Sequence, residues 1–191
     1  MSTPIDLLSV DVLSVALTNF GVDISDWGTG NTRSVADFLK ELQKQESHLR
    51  LYSEGLTRVV RVVKLLIFRP GNGYLVEAYQ ILPDGRRRDR QQIPSGKMAA
   101  HETVHRAVVR EMDEELNLTH GVHYDFKLKR IYTEEASSKS YPNLRCLYEL
   151  NECAIELHRD TQIPDGYEAV DKEDGKKLVF FWMLELPTRK A

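Results

Sequence analysis

The stretch from Gly96 to Leu118, GKMAAHETVHRAVVREMDEELNL, is the most informative part of the sequence. At about 100° per residue of an α-helix, its carboxylates Glu111, Glu114 and Glu115 fall within an arc of roughly 100°. Like charges at this spacing repel one another and destabilise a helix. A divalent cation removes that repulsion, and clustered carboxylate oxygens suit Mg²⁺ or Mn²⁺. The stretch therefore predicts either a solvated acidic face or a metal site for a phosphate substrate.

The same stretch predicts a helix over residues 102–117. Its apolar stripe, which would face a sheet, is expected to consist of His105, Val109, Met112 and Leu116. His101 and His105 stand four residues apart, which is also a spacing of helical metal ligands. Because His105 falls on the apolar stripe, we expect a core or boundary histidine there instead.

The motif residues of this stretch stand at the spacing of the Nudix box. That pattern is Gly, five residues, Glu, seven residues, Arg-Glu, an aliphatic residue, any residue, Glu-Glu, any residue, Gly and an aliphatic residue. The matching positions are Gly96, Glu102, Arg110, Glu111, Met112, Glu114, Glu115 and Leu118. The one departure is Asn117, where the family has glycine, and Asn is the best substitute for Gly in a left-handed helix end. The chain thus resembles the Nudix hydrolases over these 23 residues.

The resemblance implies a Mg²⁺-dependent pyrophosphohydrolase, with Mn²⁺ as an alternative cation. Its substrate would be a nucleoside diphosphate linked to another moiety, cleaved by attack of water on a phosphorus. The implied metal ligands are Glu111, Glu114, Glu115 and the Gly96 carbonyl. Glu102 would pair with Arg110, which fixes the helix and orients Glu111.

The general base is left open between the motif and a later loop. Within the motif, Glu114 or Glu115 would take the proton from water. Many Nudix hydrolases instead use a later loop acid, for which Glu134, Glu135 and Glu168 are candidates. We expect each of these three to be an ordinary loop charge.

Two other functions agree with a Nudix fold. The first is a catalytically silent nucleotide-binding or regulatory module, and the second is a different reaction such as isopentenyl diphosphate isomerisation. Silent modules usually lose box acids, whereas all four box glutamates are present here, which favours hydrolysis. No downstream specificity signature is found, so the substrate stays open.

Outside the motif, the pattern predicts an α+β fold, with a Nudix-type mixed sheet sandwiched between helices. Residues 1–50 are expected to form a small helical extension and residues 51–191 the Nudix domain. The extension has apolar residues at helical spacing from Leu7 to Leu17, followed by a second helix with Ser34 as N-cap. It would cap the substrate pocket or support a homodimer. The expected strands are 59–68, 74–82, 91–93, 120–132, 144–157 and 178–186.

Composition excludes several classes of protein. The 191 residues include 26 Lys or Arg and 29 Asp or Glu, so the chain is not a polycationic nucleic-acid binder. No apolar run reaches the roughly 18 residues of a membrane helix. Cys146 and Cys153 are expected to be reduced, which favours the cytoplasm. The dense basic run of Arg86, Arg87, Arg88 and Arg90 is expected to be a solvated hairpin tip; the alternative is that one or two of these arginines contact substrate phosphates.

Overall fold

Helices and strands fall in separate runs along the chain, as an α+β fold requires, and this predicted class is confirmed. The computed structural model describes residues 9–118, 122–161, 163–172 and 175–187, and within them it has three helices and nine strands. The helices are α1 (Val10–Asn19), α2 (Val35–Gln43) and α3 (Val104–Glu114). The strands are β1 (His48–Tyr52), β2 (Gly55–Arg69), β3 (Gly73–Ile81), β4 (Arg87–Gln92), β5 (Ser95–Lys97), β6 (Tyr124–Ser137), β7 (Arg145–Leu157), β8 (Tyr167–Val170) and β9 (Lys177–Met183).

The hydrogen-bonded strand order is β6-β7-β2-β3-β9-β8, with β1 and β5 paired to β2 and β4 paired to β3. The residues group into two compact units. The first takes in the described part of Met1–Val62, with Lys97–Glu102 and Tyr132–Leu150. The second takes in Val63–Gly96, Thr103–Ile131 and the described part of Asn151–Ala191. No helix among the described residues is long and apolar enough to cross a membrane.

The first unit is built around α1 and α2. The predicted N-cap Ser34 is confirmed, because its hydroxyl accepts a hydrogen bond from Asp37 N while the Asp37 carboxylate accepts from Ser34 N. The Phe38 side chain is fully buried, and its ring lies 4.7 Å from the Tyr141 ring and 5.6 Å from the Trp27 ring. Leu7 and Leu8, which the pattern placed at the start of the first helix, lie outside the described residues.

A buried ion network also belongs to the first unit. The Glu41 side chain is 2% exposed and accepts hydrogen bonds from Arg58 Nε at 2.7 Å, Lys97 Nζ at 2.7 Å and Ser47 Oγ at 2.6 Å. Burial alone would raise the pKa of Glu41, but Arg58 and then Lys97 outweigh it and hold that pKa below its usual range. The carboxylate therefore stays charged in the core.

The second unit places β3 between β4 and β9, and both pairings are antiparallel. Each pairing shifts register between Glu77 and Tyr79, which marks a β-bulge in β3. At the start of β3, Gly73 has φ +91°, and a Cβ there would overlap the Met183 carbonyl. Gly73 is thus required for the close approach of β9.

Several predicted elements differ from the observed ones. The strand β1 begins at His48, inside the segment expected to be helical, and pairs with β2. The short strand β8 was not predicted, because it is only four residues long and carries no extended alternation. Residues 120 and 121 of the predicted strand 120–132 lie outside the described residues, and the observed β6 runs on to Ser137.

The helix α3 is shorter than the predicted 102–117. Thr103 caps its first turn by accepting a hydrogen bond from Arg106 N at 3.3 Å, and the chain leaves the helix after Glu114. Asn117 adopts φ +51°, the left-handed conformation that the sequence predicts at this position.

The predicted apolar stripe of this helix was wrong at two of its four positions. His105 and Val109 are exposed, whereas Met112 and Leu116 are buried. The face that α3 buries instead contains Ala107, Val108, Glu111 and Met112. The helical period of the predicted stripe was right, but the stripe was placed on the wrong side of the helix. The buried side includes the small residue Ala107 and the charged residue Glu111, which an apolar pattern does not mark.

Candidate active site

The first carboxylate of the site belongs to Glu111, which lies on the buried face of α3. The residue is 4% exposed although its side chain is charged. On β5, Gly96 lies directly against it, because a Cβ built on Gly96 would overlap the Glu111 carboxylate. The position does not have a positive φ, so close approach and not backbone conformation accounts for a glycine here.

Arg110 joins two of the helix carboxylates. Its Nη1 donates to Glu111 Oε1 at 2.7 Å and to Glu114 Oε2 at 3.0 Å. These charge-assisted hydrogen bonds reduce the repulsion that the acidic face would otherwise suffer. The predicted ligands Glu111 and Glu114 are therefore brought together, through one guanidinium.

Glu102 belongs to the first unit. Its Oε2 accepts a hydrogen bond from Ala99 N at 3.2 Å, and its carbonyl accepts from Arg61 Nη1 at 3.3 Å. These bonds order the turn that precedes α3. The pairing of Glu102 with Arg110 stays a prediction.

Glu115, the C-cap residue of α3, lies in a crowded acidic environment. Burial first, and then the charges of Glu111, Asp171 and Glu77, raise the pKa of Glu115 to about 8, although Lys176 acts in the opposite direction. The nearest approach of Lys176 Nζ to Glu115 Oε1 is 4.0 Å. This carboxyl is therefore protonated more readily than that of an ordinary glutamate.

Three residues of this environment were missed by the sequence reasoning. Asp171 is 4% exposed and lies 2.7 Å from Lys176 Nζ, so this pair forms a buried ion pair beside Glu115. Glu77 lies in the middle of β3, where it is also 4% exposed. A glutamate within the apolar run Tyr74-Leu75-Val76-Glu77-Ala78-Tyr79 is the one sequence signal that could have marked it.

Contacts to the segment after β8 fix the end of α3. Lys172 N donates to Glu114 O at 3.1 Å, and Lys172 Nζ donates to Asp113 Oδ1 at 2.8 Å. The Tyr167 hydroxyl donates to Leu116 O, and Asn117 Nδ2 donates to Val170 O at 3.3 Å. The carboxylates of the last helical turn are thus held on a backbone that is tied down at several points.

The carboxylates of this site are the type of ligand that binds a hard divalent cation. In this structure, however, most of them are paired with cationic side chains. Among the described residues, no three His, Cys, Asp or Glu side chains converge in a group that could hold a metal as they stand. Glu111 and Glu114 bind Arg110, and Asp171 binds Lys176. One buried carboxylate oxygen of the second unit, Glu77 Oε1, has no hydrogen-bond partner among the described residues. All of these donors are carboxylate oxygens, the type that Mg²⁺ prefers.

Comparisons with known proteins gave matches among solved structures. No protein-family model matches the chain, and no curated protein does. A NUDIX hydrolase from Nitrosomonas europaea is 17% identical over 74% of this chain and 75% of that chain, with a TM-score of 0.36. A MutT NUDIX hydrolase from Burkholderia pseudomallei is 18% identical over 70% of this chain and 90% of that chain, with a TM-score of 0.35. The chain is similar to Nudix hydrolases. An ADP compounds hydrolase is 14% identical over 72% of this chain and 69% of that chain, with a TM-score of 0.34. With identities below 20% and TM-scores below 0.4, the function is inferred from the residues of the site.

The candidate bases outside the Nudix box lie in strands and not in loops. Glu134 and Glu135 fall within β6, because that strand continues five residues beyond its predicted end. Glu135 Oε2 accepts from Arg145 Nη2 at 3.1 Å. Glu168 lies in β8 of the second unit, half-exposed, and accepts from Lys177 Nζ at 2.9 Å. The loop placement predicted for these three acids was therefore wrong, and the catalytic role of each stays untested.

The basic run is divided between the surface and the site. Arg86 and Arg87 are exposed and pair with Asp84 at 2.7 Å and Asp89 at 2.9 Å, which agrees with a solvated hairpin. Arg90, by contrast, is half-buried in β4, and its Nε lies 3.4 Å from Glu77 Oε2. One member of the run is thus drawn to the acidic environment of the second unit.

The predicted histidine pair does not lie on one helix. His101 precedes α3 and His105 follows its first residue, and both side chains are exposed. The ring of His105 lies 5.4 Å from the ring of Phe126 in an edge-to-face arrangement. The expectation that His105 is a core or boundary residue was therefore wrong.

Proposed function

We propose that this chain is a Nudix hydrolase, a Mg²⁺-dependent pyrophosphohydrolase that cleaves a nucleoside diphosphate linked to another moiety. The observation that carries the proposal is the packing of Gly96 against the buried Glu111 carboxylate. This contact gives the spacing of the Nudix box a physical reason, since only glycine leaves room for the carboxylate. The intact set of Glu102, Glu111, Glu114 and Glu115 favours turnover over a silent binding module.

In this proposal, each box residue has a distinct task. Glu111, Glu114, Glu115 and the Gly96 carbonyl would hold the cation. Bound Mg²⁺ would neutralise phosphate oxygens and lower the pKa of a water molecule. Arg110 positions Glu111 and Glu114, and Glu102 positions Arg110. Glu114 or Glu115 takes the proton from the attacking water.

The surroundings of the site belong to the same proposal. Residues 51–191 would form the Nudix domain, and residues 1–50 would cap the substrate pocket or support a homodimer. Two buried cysteines without a disulfide, Cys146 and Cys153, agree with a cytoplasmic setting. Light scattering of the full chain and of a chain lacking residues 1–50 would separate the two roles of the extension.

A substrate panel tests the activity. Dinucleotides, nucleotide sugars, nucleoside triphosphates and capped RNA are each incubated with the full chain and Mg²⁺, and the phosphorus products are measured. We expect hydrolysis of at least one diphosphate-linked compound and a loss of several orders of magnitude in Glu114→Gln. Asp113→Asn is the matched control, because Asp113 lies on the same helix but pairs with Lys172. Stabilisation by a nucleotide and metal without any product would favour the silent binding module instead.

A further inference from the structure

Glu77 is a buried carboxylate with one oxygen that lacks a partner. Its neighbours in β3, Leu75 and Val76, are almost fully buried, and Glu77 itself is 4% exposed. Among the described residues, Glu77 Oε1 has no hydrogen-bond partner. An unpaired polar group in such a place costs free energy on the order of 1–3 kcal/mol, and more when charged. A glutamate at this cost is therefore expected to have a function, such as binding a ligand.

The contact with Arg90 leaves this oxygen unsatisfied. Arg90 Nε lies 3.4 Å from Glu77 Oε2, longer than the roughly 2.7–2.9 Å of a strong charge-assisted hydrogen bond. It addresses only Oε2, so Oε1 stays open to another partner. Arg90 thus orients the carboxylate without saturating it.

The local backbone and the neighbouring charges link Glu77 to the acidic residues of α3. The register of β3 shifts directly after Glu77 in its pairing with β4 and with β9. Such a bulge changes the direction of a side chain and is common beside active sites. Glu77 is one of the carboxylates that act electrostatically on Glu115, together with Glu111 and Asp171.

We propose that Glu77 is a further oxygen ligand, supplied by β3, for the divalent cation that the glutamates of α3 bind. This inference rests on the proposed function, because it requires a cation at the Nudix box. The cation provides the partner that Oε1 lacks, while Arg90 keeps Oε2 in place. The site would then take ligands from β3 as well as from α3.

Direct cation binding tests this assignment. The full chain, freed of metal, is titrated with Mn²⁺ and followed by calorimetry and by the electron paramagnetic resonance signal of free Mn²⁺. We expect Glu77→Gln to weaken Mn²⁺ binding roughly tenfold or more, a size typical of residues that support a metal site. Glu77→Asp, which keeps the charge on a shorter side chain, is expected to bind between Glu77→Gln and the wild type, and it is the second variant if Glu77→Gln fails to fold.

Two controls separate ligation from other effects. Asp113→Asn removes a negative charge from the same region without removing a ligand, and we expect Mn²⁺ affinity within about twofold of the wild type, since exposed charges act weakly. Arg90→Gln removes the ion pair of Glu77, and we expect Mn²⁺ binding to be retained. If the only role of Glu77 is to pair with Arg90, Glu77→Gln and Arg90→Gln will lose the same amount of thermal stability in EDTA. Both variants will then bind Mn²⁺ as the wild type does.

The outcomes distinguish this inference from the proposed function. Wild-type Mn²⁺ affinity in folded Glu77→Gln, with hydrolysis retained by the wild-type chain, overturns the inference alone. Absence of Mn²⁺ binding to the wild-type chain overturns both. A selective loss of Mn²⁺ binding in Glu77→Gln, absent from Asp113→Asn and Arg90→Gln, supports the inference.

Discussion

The substitution Gly96→Ala should disable the site through a single methyl group. A Cβ at this position would overlap all three atoms of the Glu111 carboxylate, so that group must retreat by about 1 Å or more to reach ordinary contact. Glu111 is buried and bonded to Arg110 at 2.7 Å, so the retreat breaks a charge-assisted hydrogen bond. We expect a loss of about 1.5–3 kcal/mol in the free energy of unfolding. A misplacement of 1 Å at a reacting centre reduces turnover on the order of 10²-fold.

The assay is Mg²⁺-dependent turnover of the best panel substrate, with urea unfolding measured in parallel. Ser95→Ala, on the same strand, is the control and should keep wild-type turnover. The double variant Gly96→Ala with Glu111→Asp shortens the displaced side chain and should recover part of the turnover lost in Gly96→Ala. Wild-type turnover and stability in Gly96→Ala would show that the Glu111 carboxylate does not need the space beside Gly96.

The remaining predictions concern the buried ion network and the end of α3. Glu41→Gln leaves Arg58 and Lys97 without their buried counter-charge, so we expect urea unfolding to show a loss of about 3–5 kcal/mol; an unchanged midpoint would contradict this. The pKa of Glu41 is lower in the folded chain than its ordinary 4.5, so its stabilising effect is complete above about pH 4.5 and is lost as the pH falls through the folded value. The melting temperature should therefore fall more steeply between pH 6 and pH 3 for the wild type than for Glu41→Gln. Parallel pH curves for the two proteins would show that the Glu41 charge does not stabilise the fold. Asn117→Gly should keep the fold with little net change in stability, because relief of the φ +51° conformation offsets the lost hydrogen bond to Val170 O, whereas Asn117→Val should lower the melting temperature.

The part of the site that could be predicted from the sequence is the part set by one helix. Glu111 and Glu114 come close enough to share Arg110, with Glu115 directly after the helix, because helical spacing puts them there. The left-handed Asn117 is equally local. Helical geometry gives relative angles only, so the rotation of the helix could not be predicted, and His105 and Val109 were assigned to the wrong face.

The part that could not be predicted depends on pairing between strands distant in sequence. Glu77, Asp171 and Lys176 come from β3 and from the connection between β8 and β9, and no spacing rule relates them to α3. Glu77 in an apolar strand was a signal, but its meaning depends on which residues lie around it. Likewise, β8 has only four residues and forms because it can pair with β9.

If the chain hydrolyses a diphosphate, the oxygen of the attacking water must end on phosphorus, and isotope labelling detects this oxygen. The full chain is incubated with Mg²⁺ and its best diphosphate-linked substrate in ¹⁸O-labelled water, and the products are analysed by mass spectrometry. We expect a single ¹⁸O atom in one phosphate product, and no product with EDTA or with Glu114→Gln. Product formed without label on phosphorus, or no Mg²⁺-dependent product from any diphosphate-linked compound, would contradict this expectation.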